Sequence, residues 1–369
     1  MPASPEAANT LDSGALQAWS TRVLMGFGVA EEPAALTAGL LVRTSLRGID
    51  THGISRLPGY VDKLTSGEVN AHAMPRIDAD MGAAGAAAGW LRCDGDGGLG
   101  QVVASFALEQ AMARARQQPL VACHIRATGH LAALAVYVAA AAEQGFFAFL
   151  CQRTPPVMAL PCASGPVIGN NPLAFALPLA GRAPLVFDMA NSVVARGHVA
   201  QAVREGQDII PPEWALGPDG QPTTDPVLAL QGAMQPIAGH KGLGLAMLVE
   251  CLAASMGGIT SAPNAAGGTA GSAANASAFA LVINPALATG REAFDASVSA
   301  WMQTYLQAGG TGARYPGQRQ AECELQRRRD GVPLPAGLLA ELRALGERTG
   351  HPLPVLTPAA WPAGGTGAA

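Results

Sequence analysis

Two apolar, strand-like segments, LAFALPL (173–179) and PLVFDMA (184–190), are separated only by the turn-like AGRA. A connection that short returns the chain antiparallel, because a parallel partner needs a crossover of about a dozen residues or more. Upstream the pattern differs. Strand-like AGWLRCD, PLVACHIR and FFAFLCQ alternate with helical Gln101–Gln118 and Leu131–Ala142. Val103, Phe106, Ala107 and Ala111 share one face of the first of these helices. A long helix from Gly242 to about Met256 and the strand AFALVINP follow. Crossovers combined with hairpins predict an α/β fold with a mixed, largely antiparallel sheet covered by helices.

The first seventy or so residues have helical periodicity, in ALQAWSTRVLMGFGV and PAALTAGLLVRTSLRG. RLPGYVDKLTSG predicts a further helix, and Pro58 is tolerable only in its first turn, so the helix begins near Ser55. We therefore expect a helical segment over 1–75, packed with C-terminal helices at 320–357, and an α/β cofactor-binding and catalytic domain over 76–319. The low-complexity run Ala262–Ala278 predicts a mobile surface loop, and 358–369 a disordered tail.

Charged residues are 14% of the chain, net charge is −4 and the pI is about 6.0. That balance offers no footprint for nucleic acid or anionic lipid. No apolar run is long enough for a bilayer, and MPASPEAANTLDSG lacks the pattern of a secretory signal, so a soluble cytoplasmic protein is expected. Six scattered cysteines without a CxxC pair predict reduced, mostly buried thiols and no metal site.

GDGGLG (95–100) matches the dinucleotide-binding GxGxxG. That motif also needs an acidic residue at the end of the next strand, to hold the ribose. The next strand ends HIRATGH, without a carboxylate. A loop leading into a helix is the simpler reading.

Four stretches concentrate chemistry. GIDTHGISR (48–56) places His52 and Arg56 four apart, beside Thr51 and Asp50; arginine suits a carboxylate and histidine can move a proton. The alternative is a solvated helix start capped by Asp50 or Thr51. RATGHLAAL places His130 between a strand and a predicted helix, where a helix N-terminus would keep the imidazole neutral. VFDMANS ends an apolar strand with Asp188, near Ser192, and such a carboxylate commonly caps the following turn. GHKGLGLAM carries Lys241, one of only two lysines, among glycines at a helix start suited to an anion.

Together with GNNPLAFALP, PTTDP and RRRDGVPLP, these stretches resemble, in order and over about Leu16–Leu353, the malate/L-lactate dehydrogenase family. That family also includes sulfolactate and ureidoglycolate dehydrogenases, diketogulonate reductase and piperideine/pyrroline-2-carboxylate reductases. The resemblance implies a homodimeric, NAD- or NADP-dependent oxidoreductase with a non-Rossmann sheet and an active site near the dimer interface. It implies proton transfer by His130, with His52 and Asp188 also catalytic. Thr51, His52, Arg56 and Tyr60 would line the substrate pocket, Arg56 taking a carboxylate. Arg153, Thr154, Asn171, Asp188, Met189, Ala190, Lys241, Gly317, Gln318 and Arg319 would contact the dinucleotide. The implied reaction moves hydride between nicotinamide and C2 of a small 2-oxo or 2-hydroxy acid, with a cyclic imine carboxylate as the alternative substrate. Two departures stand out: His198 replaces a lysine after ARG, and Asn275-Ala-Ser-Ala replaces NxGH. They leave room for a relative that binds nucleotide without turnover.

Overall fold

The computed structural model describes residues 9–78, 89–163, 165–204, 206–259 and 276–358. The chain forms two compact units, Met1–His72 with Gln318–Ala369, and Ala73–Gly317. Of the tail expected over 358–369, Pro358 ends a strand and 359–369 lie outside the described residues; of the loop expected over Ala262–Ala278, Ser277 and Ala278 begin a strand and 262–275, with Asn275, lie outside them.

The first unit begins with β1 (Asn9–Leu11), α1 (Ser13–Met25), α2 (Glu31–Leu46) and α3 (Leu57–Thr65). Asp12 caps α1 by accepting the Ala15 amide at 2.8 Å, the role expected of an aspartate just ahead of a helix. Leu16, Trp19, Val23 and Leu24 of α1 are buried, and the Trp19 indole donates to the His351 carbonyl at 2.8 Å.

The second unit is built on a seven-stranded sheet. Its strands are β2 (Arg76–Ile77), β3 (Trp90–Gly98), β4 (Leu120–Thr128), β5 (Phe147–Arg153), β6 (Leu173–Leu177), β7 (Leu185–Met189) and β11 (Ser277–Ile283). They lie in the order β2-β3-β4-β11-β5-β6-β7, and a second, three-stranded sheet joins β8 (Ala215–Leu216), β9 (Pro222–Thr223) and β10 (Ala233–Met234). Only β3 and β4 pair in parallel, joined by α4 (Gly100–Ala115); every other pairing in the large sheet is antiparallel. The β6–β7 hairpin has the expected form, with Leu173 opposite Met189 and Leu177 opposite Leu185. The sheet is thus mixed and mostly antiparallel, as its loop lengths predict.

α5 (Ala135–Glu143), α6 (Arg196–Arg204), α7 (Pro226–Gln231), α8 (His240–Ala253), α9 (Pro285–Ala288) and α10 (Arg291–Ala308) complete this unit. Ala122, Cys151, Leu173 and Phe279 of the sheet bury Val249 and Ala253 of α8, with Phe187 and Met189 packed against them. Side chains alternate across a strand, so Asp188 projects to the opposite face, where α5 lies. The chain then returns to the first unit with α11 (Gln318–Asp330), β12 (Val332–Leu334), α12 (Ala336–Thr349) and β13 (Thr357–Pro358). β12 and β13 flank β1 antiparallel.

Three local expectations change. The helix expected over Leu131–Ala142 begins only at Ala135, because Ala132 has a left-handed φ of 62°. The glycine run GDGGLG is not a loop: Gly95–Gly98 end β3 and Gly100 opens α4. Of the thiols, Cys93, Cys123 and Cys151 are buried, whereas Cys162 and Cys251 are exposed and Cys323 is intermediate. Burial pushes the Cys93 and Cys151 thiols up to about 12, so neither is a ready nucleophile.

Candidate active site

In the first unit, Thr51, His52 and Arg56 are brought together on two short 3₁₀ turns, Asp50–His52 and Ile54–Arg56, that lead into α3. Pro58 falls in the first turn of α3, which starts two residues after Ser55, the start predicted from sequence. The Thr51 hydroxyl lies 2.9 Å from His52 Nδ1, and Arg56 Nε donates to the Thr51 carbonyl at 2.7 Å. Arg56 is exposed, and the outer nitrogens of its guanidinium have no partner among the described residues. Tyr60 is buried one turn further on. Gly53 is required here: a Cβ would lie 2.1 Å from Ser45 Oγ, which accepts the Ile54 amide at 2.9 Å. Among the described residues Asp50 caps no helix; its carboxylate is held by Arg327 through two bonds, of 2.6 and 3.1 Å.

In the second unit, His130 sits on the irregular segment between β4 and α5. Buried Gln152 grips that segment, its carboxamide accepting the Leu131 amide at 3.1 Å and donating to the Gly129 carbonyl at 2.9 Å. The Tyr137 hydroxyl donates to the Leu131 carbonyl at 2.7 Å. Gly100 packs so closely beneath that a Cβ would lie 2.4 Å from the His130 carbonyl oxygen. The glycine run thus serves a close backbone approach. The helix N-terminus expected beside His130 lies at Ala135, and its amide is taken by Asp188 Oδ2 at 2.8 Å. Asp188 therefore caps α5 rather than the turn after its own strand. Burial pushes its carboxyl up to about 6, against the Ala135 and Leu134 amides, which pull it down.

Of the other expected residues, Arg153, Thr154 and Asn171 form a second cluster of this unit. Arg153 Nε pairs with Glu250 at 2.9 Å, and the Asn171 carboxamide donates to Glu250 and to the Ala246 carbonyl, at 3.3 and 3.0 Å. The Thr154 amide donates to Asn171 Oδ1 at 2.9 Å. Asn171 itself has a φ of 33°, a conformation asparagine tolerates better than most residues. Met189 and Ala190 continue from Asp188 towards Asn191, whose side chain donates to the Asn171 carbonyl at 2.6 Å. Lys241 is exposed in the first turn of α8. Gly317 has a φ of 90° and packs on Val186, while Gln318 and exposed Arg319 open α11 of the first unit. His198 is exposed in the first turn of α6.

The profile of the malate/L-lactate dehydrogenase family matches residues 11–343. This chain belongs to that family. The oxidoreductase is 34% identical over 328 residues to a delta(1)-pyrroline-2-carboxylate reductase of Ancylobacter novellus, covering 88% of this chain and 94% of the relative. It is 33% identical over 323 residues to the (2R)-3-sulfolactate dehydrogenase (NADP(+)) of Chromohalobacter salexigens, covering 87% and 93%. The crystal structure of a delta1-piperideine-2-carboxylate reductase from Pseudomonas syringae pathovar tomato superposes with a TM-score of 0.80 at 31% identity, covering 91% and 99%.

Dehydrogenases and reductases of this family need a nicotinamide donor or acceptor, and polar groups in the second unit fit one. The buried Asn191 Oδ1 and Ser192 Oγ have no hydrogen-bond partner among the described residues. Their segment pairs with Gln235–Ile237, which leads into the N-terminus of α8 and Lys241. An orphaned acceptor, an orphaned hydroxyl, an ammonium and helix amides together suit amide, ribose and phosphate groups. The sequence reading missed Gln152, Glu250, Asn191 and Arg327. A glutamine ending the apolar strand FFAFLCQ was the visible sign of the first.

Proposed function

We propose that this oxidoreductase uses a nicotinamide dinucleotide to reduce C2 of a five- or six-membered cyclic imine carboxylate. Hydride adds to C2 of the C=N bond and the ring nitrogen takes a proton, giving the saturated amino acid. The bound nicotinamide supplies the hydride. The observation that carries this reading is the Thr51–His52–Arg56 turn, taken with relatives named for such imines. Arg56, tethered through Nε, offers its outer edge to the carboxylate as a planar fork and so orients C2. His52 delivers the proton as its imidazolium: Nδ1–H donates to the Thr51 hydroxyl, 2.9 Å away, and Nε2 gives up its proton, leaving the neutral ring. The family resemblance implies that role for His130 as well, and a helix N-terminus was expected to keep its imidazole neutral. Asp188 occupies that terminus instead, so we favour His52 over His130 for the proton and assign Asp188 to holding α5.

Arg153, Thr154, Asn171, Asn191, Ser192, Lys241 and the Gly317–Arg319 turn are assigned to the dinucleotide, with Met189 and Ala190 alongside. Exposed Arg319 suits a 2′-phosphate, and one relative is NADP(+)-dependent by name, so NADPH is the proposed donor. A homodimer is proposed through α8, whose Leu245, Met247 and Leu248 are exposed despite their apolar character. No helix among the described residues is long and apolar enough to cross a membrane, and a cytoplasmic location is proposed.

The sulfolactate relative favours a second reading, reduction of a 2-oxo acid to its 2-hydroxy acid. The test is NADPH and NADH oxidation with pyrroline-2-carboxylate, piperideine-2-carboxylate, pyruvate, oxaloacetate and sulfopyruvate side by side. Higher kcat/KM on the imines, with NADPH, is expected. Preference for a 2-oxo acid would replace the first reading by the second, and no turnover on any of them would sink both.

A further inference from the structure

The turn that carries His52 and Arg56 is held by a residue far away in the chain. Glu324 of α11 lies among three arginines: Arg47 at 3.0 Å, Arg43 at 3.3 Å and Arg328 at 2.7 Å. Burial raises the Glu324 carboxyl, but Arg43, Arg328 and Arg47 outweigh it and hold the group below the usual range. This cluster fastens α11 to the C-terminal half of α2.

Arg327 stands three residues after Glu324 in α11, so the two share a helix face. Its Nη1 donates to the Ser45 carbonyl at 2.5 Å and to Asp50 Oδ1 at 2.6 Å, and its Nη2 donates to Asp50 Oδ2 at 3.1 Å. One guanidinium therefore clamps the end of α2 and the first residue of the 3₁₀ turn at once. The Arg327 side chain is 19% exposed and that of Asp50 51%, so the pair is only half shielded and acts by fixing direction more than by charge energy. Directly after Asp50 come Thr51, whose carbonyl holds Arg56 Nε, and His52. Ser55 Oγ adds a bond to the Asp50 carbonyl at 2.6 Å, closing the turn on itself.

We infer that Arg327 is a positioning residue: through its fork to Asp50 it sets the place of Arg56 and His52, and so governs capture of the substrate carboxylate. The inference rests on the assignment of that turn to the substrate. A fork gives direction that a point charge cannot, so lysine is not an equivalent. Small displacements of a positioned group cost roughly 100-fold when they reach the reacting atoms.

The experiment compares the wild-type enzyme with Arg327→Met, Asp50→Asn, their double variant, Arg327→Lys and Arg56→Ala. Each is measured for kcat and KM on the best imine or 2-oxo acid, for NADPH affinity by tryptophan quenching, and for Tm. Arg327→Met and Asp50→Asn should each raise KM roughly 10- to 100-fold, with smaller effects on kcat and NADPH affinity. The double variant should be no worse than either single, and Arg327→Lys should restore only part of the loss. Should Arg327→Met fail to fold, Asp50→Asn, which keeps shape and volume, decides alone. Wild-type KM in Asp50→Asn, or losses that multiply in the double variant, would overturn the inference while Arg56→Ala remains defective. If Arg56→Ala itself has wild-type kinetics, the assignment of the turn fails and the inference falls with it.

Discussion

The carboxylate of Asp188 accepts the backbone amide of Ala135 at 2.8 Å, so the edge strand of the large sheet caps a helix 53 residues earlier in the chain. Leu134, in the N-cap position of that helix, has no side-chain acceptor of its own. The cap comes at a cost, because a carboxylate in this setting is hard to ionise.

That cost has a pH signature. The Asp188 carboxyl rises from 3.8 to about 6, with burial as the main cause. The native state therefore holds this proton more tightly than the unfolded chain. Its stabilising contribution is complete below about pH 4 and is lost as pH rises through about 6, by at most about 3 kcal/mol. Part of the side chain meets solvent, so screening reduces the value measured. Asp188→Asn keeps an acceptor for the amide without the charge. Its Tm relative to wild type should climb between pH 4 and 7, and parallel Tm curves would show that Asp188 does not titrate in this window.

Gly100 is confined by backbone. A methyl group there would meet the His130 carbonyl oxygen at 2.4 Å and the Gly129 oxygen at 2.7 Å, and neither can rotate away. Gly100→Ala should cost roughly 1–3 kcal/mol and disturb the segment that carries His130. Gly337→Ala, where nothing lies within 4 Å of the added carbon, should stay within about 1 kcal/mol of wild type. Equal unfolding midpoints in urea for the two variants would refute the packing argument.

The two histidines are separable by kinetics. His52→Ala should lower kcat by roughly 10²–10⁴-fold, the usual worth of a positioned acid, with NADPH binding retained. His130→Ala should lower it less. Single-turnover rates in which His130→Ala is the slower variant would return the proton to His130.

The mixed, mostly antiparallel sheet was legible because loop length is a local property: four residues between LAFALPL and PLVFDMA leave one way to pair. The turn at 48–56 was legible because its side chains crowd into nine positions. The start of α5 was not. A run of alanine and leucine from 131 has helical propensity, yet the Gln152 and Tyr137 bonds to its backbone hold the first residues out of the helix. The partner of Asp188 was hidden for the same reason. The link from Arg327 to Asp50 spans 277 positions, and RRRD at the end of a helix resembles any solvated charge run. Local pattern shows which groups are present; distant contacts decide what they hold.

The central claim is that Arg56 receives the substrate carboxylate on the turn that carries His52. Its most direct test is the Michaelis constant of Arg56→Lys for the preferred substrate, measured beside its NADPH dissociation constant. Lysine keeps the charge but not the fork, so KM should rise by roughly tenfold or more while NADPH binds as in wild type. A wild-type KM would contradict the account.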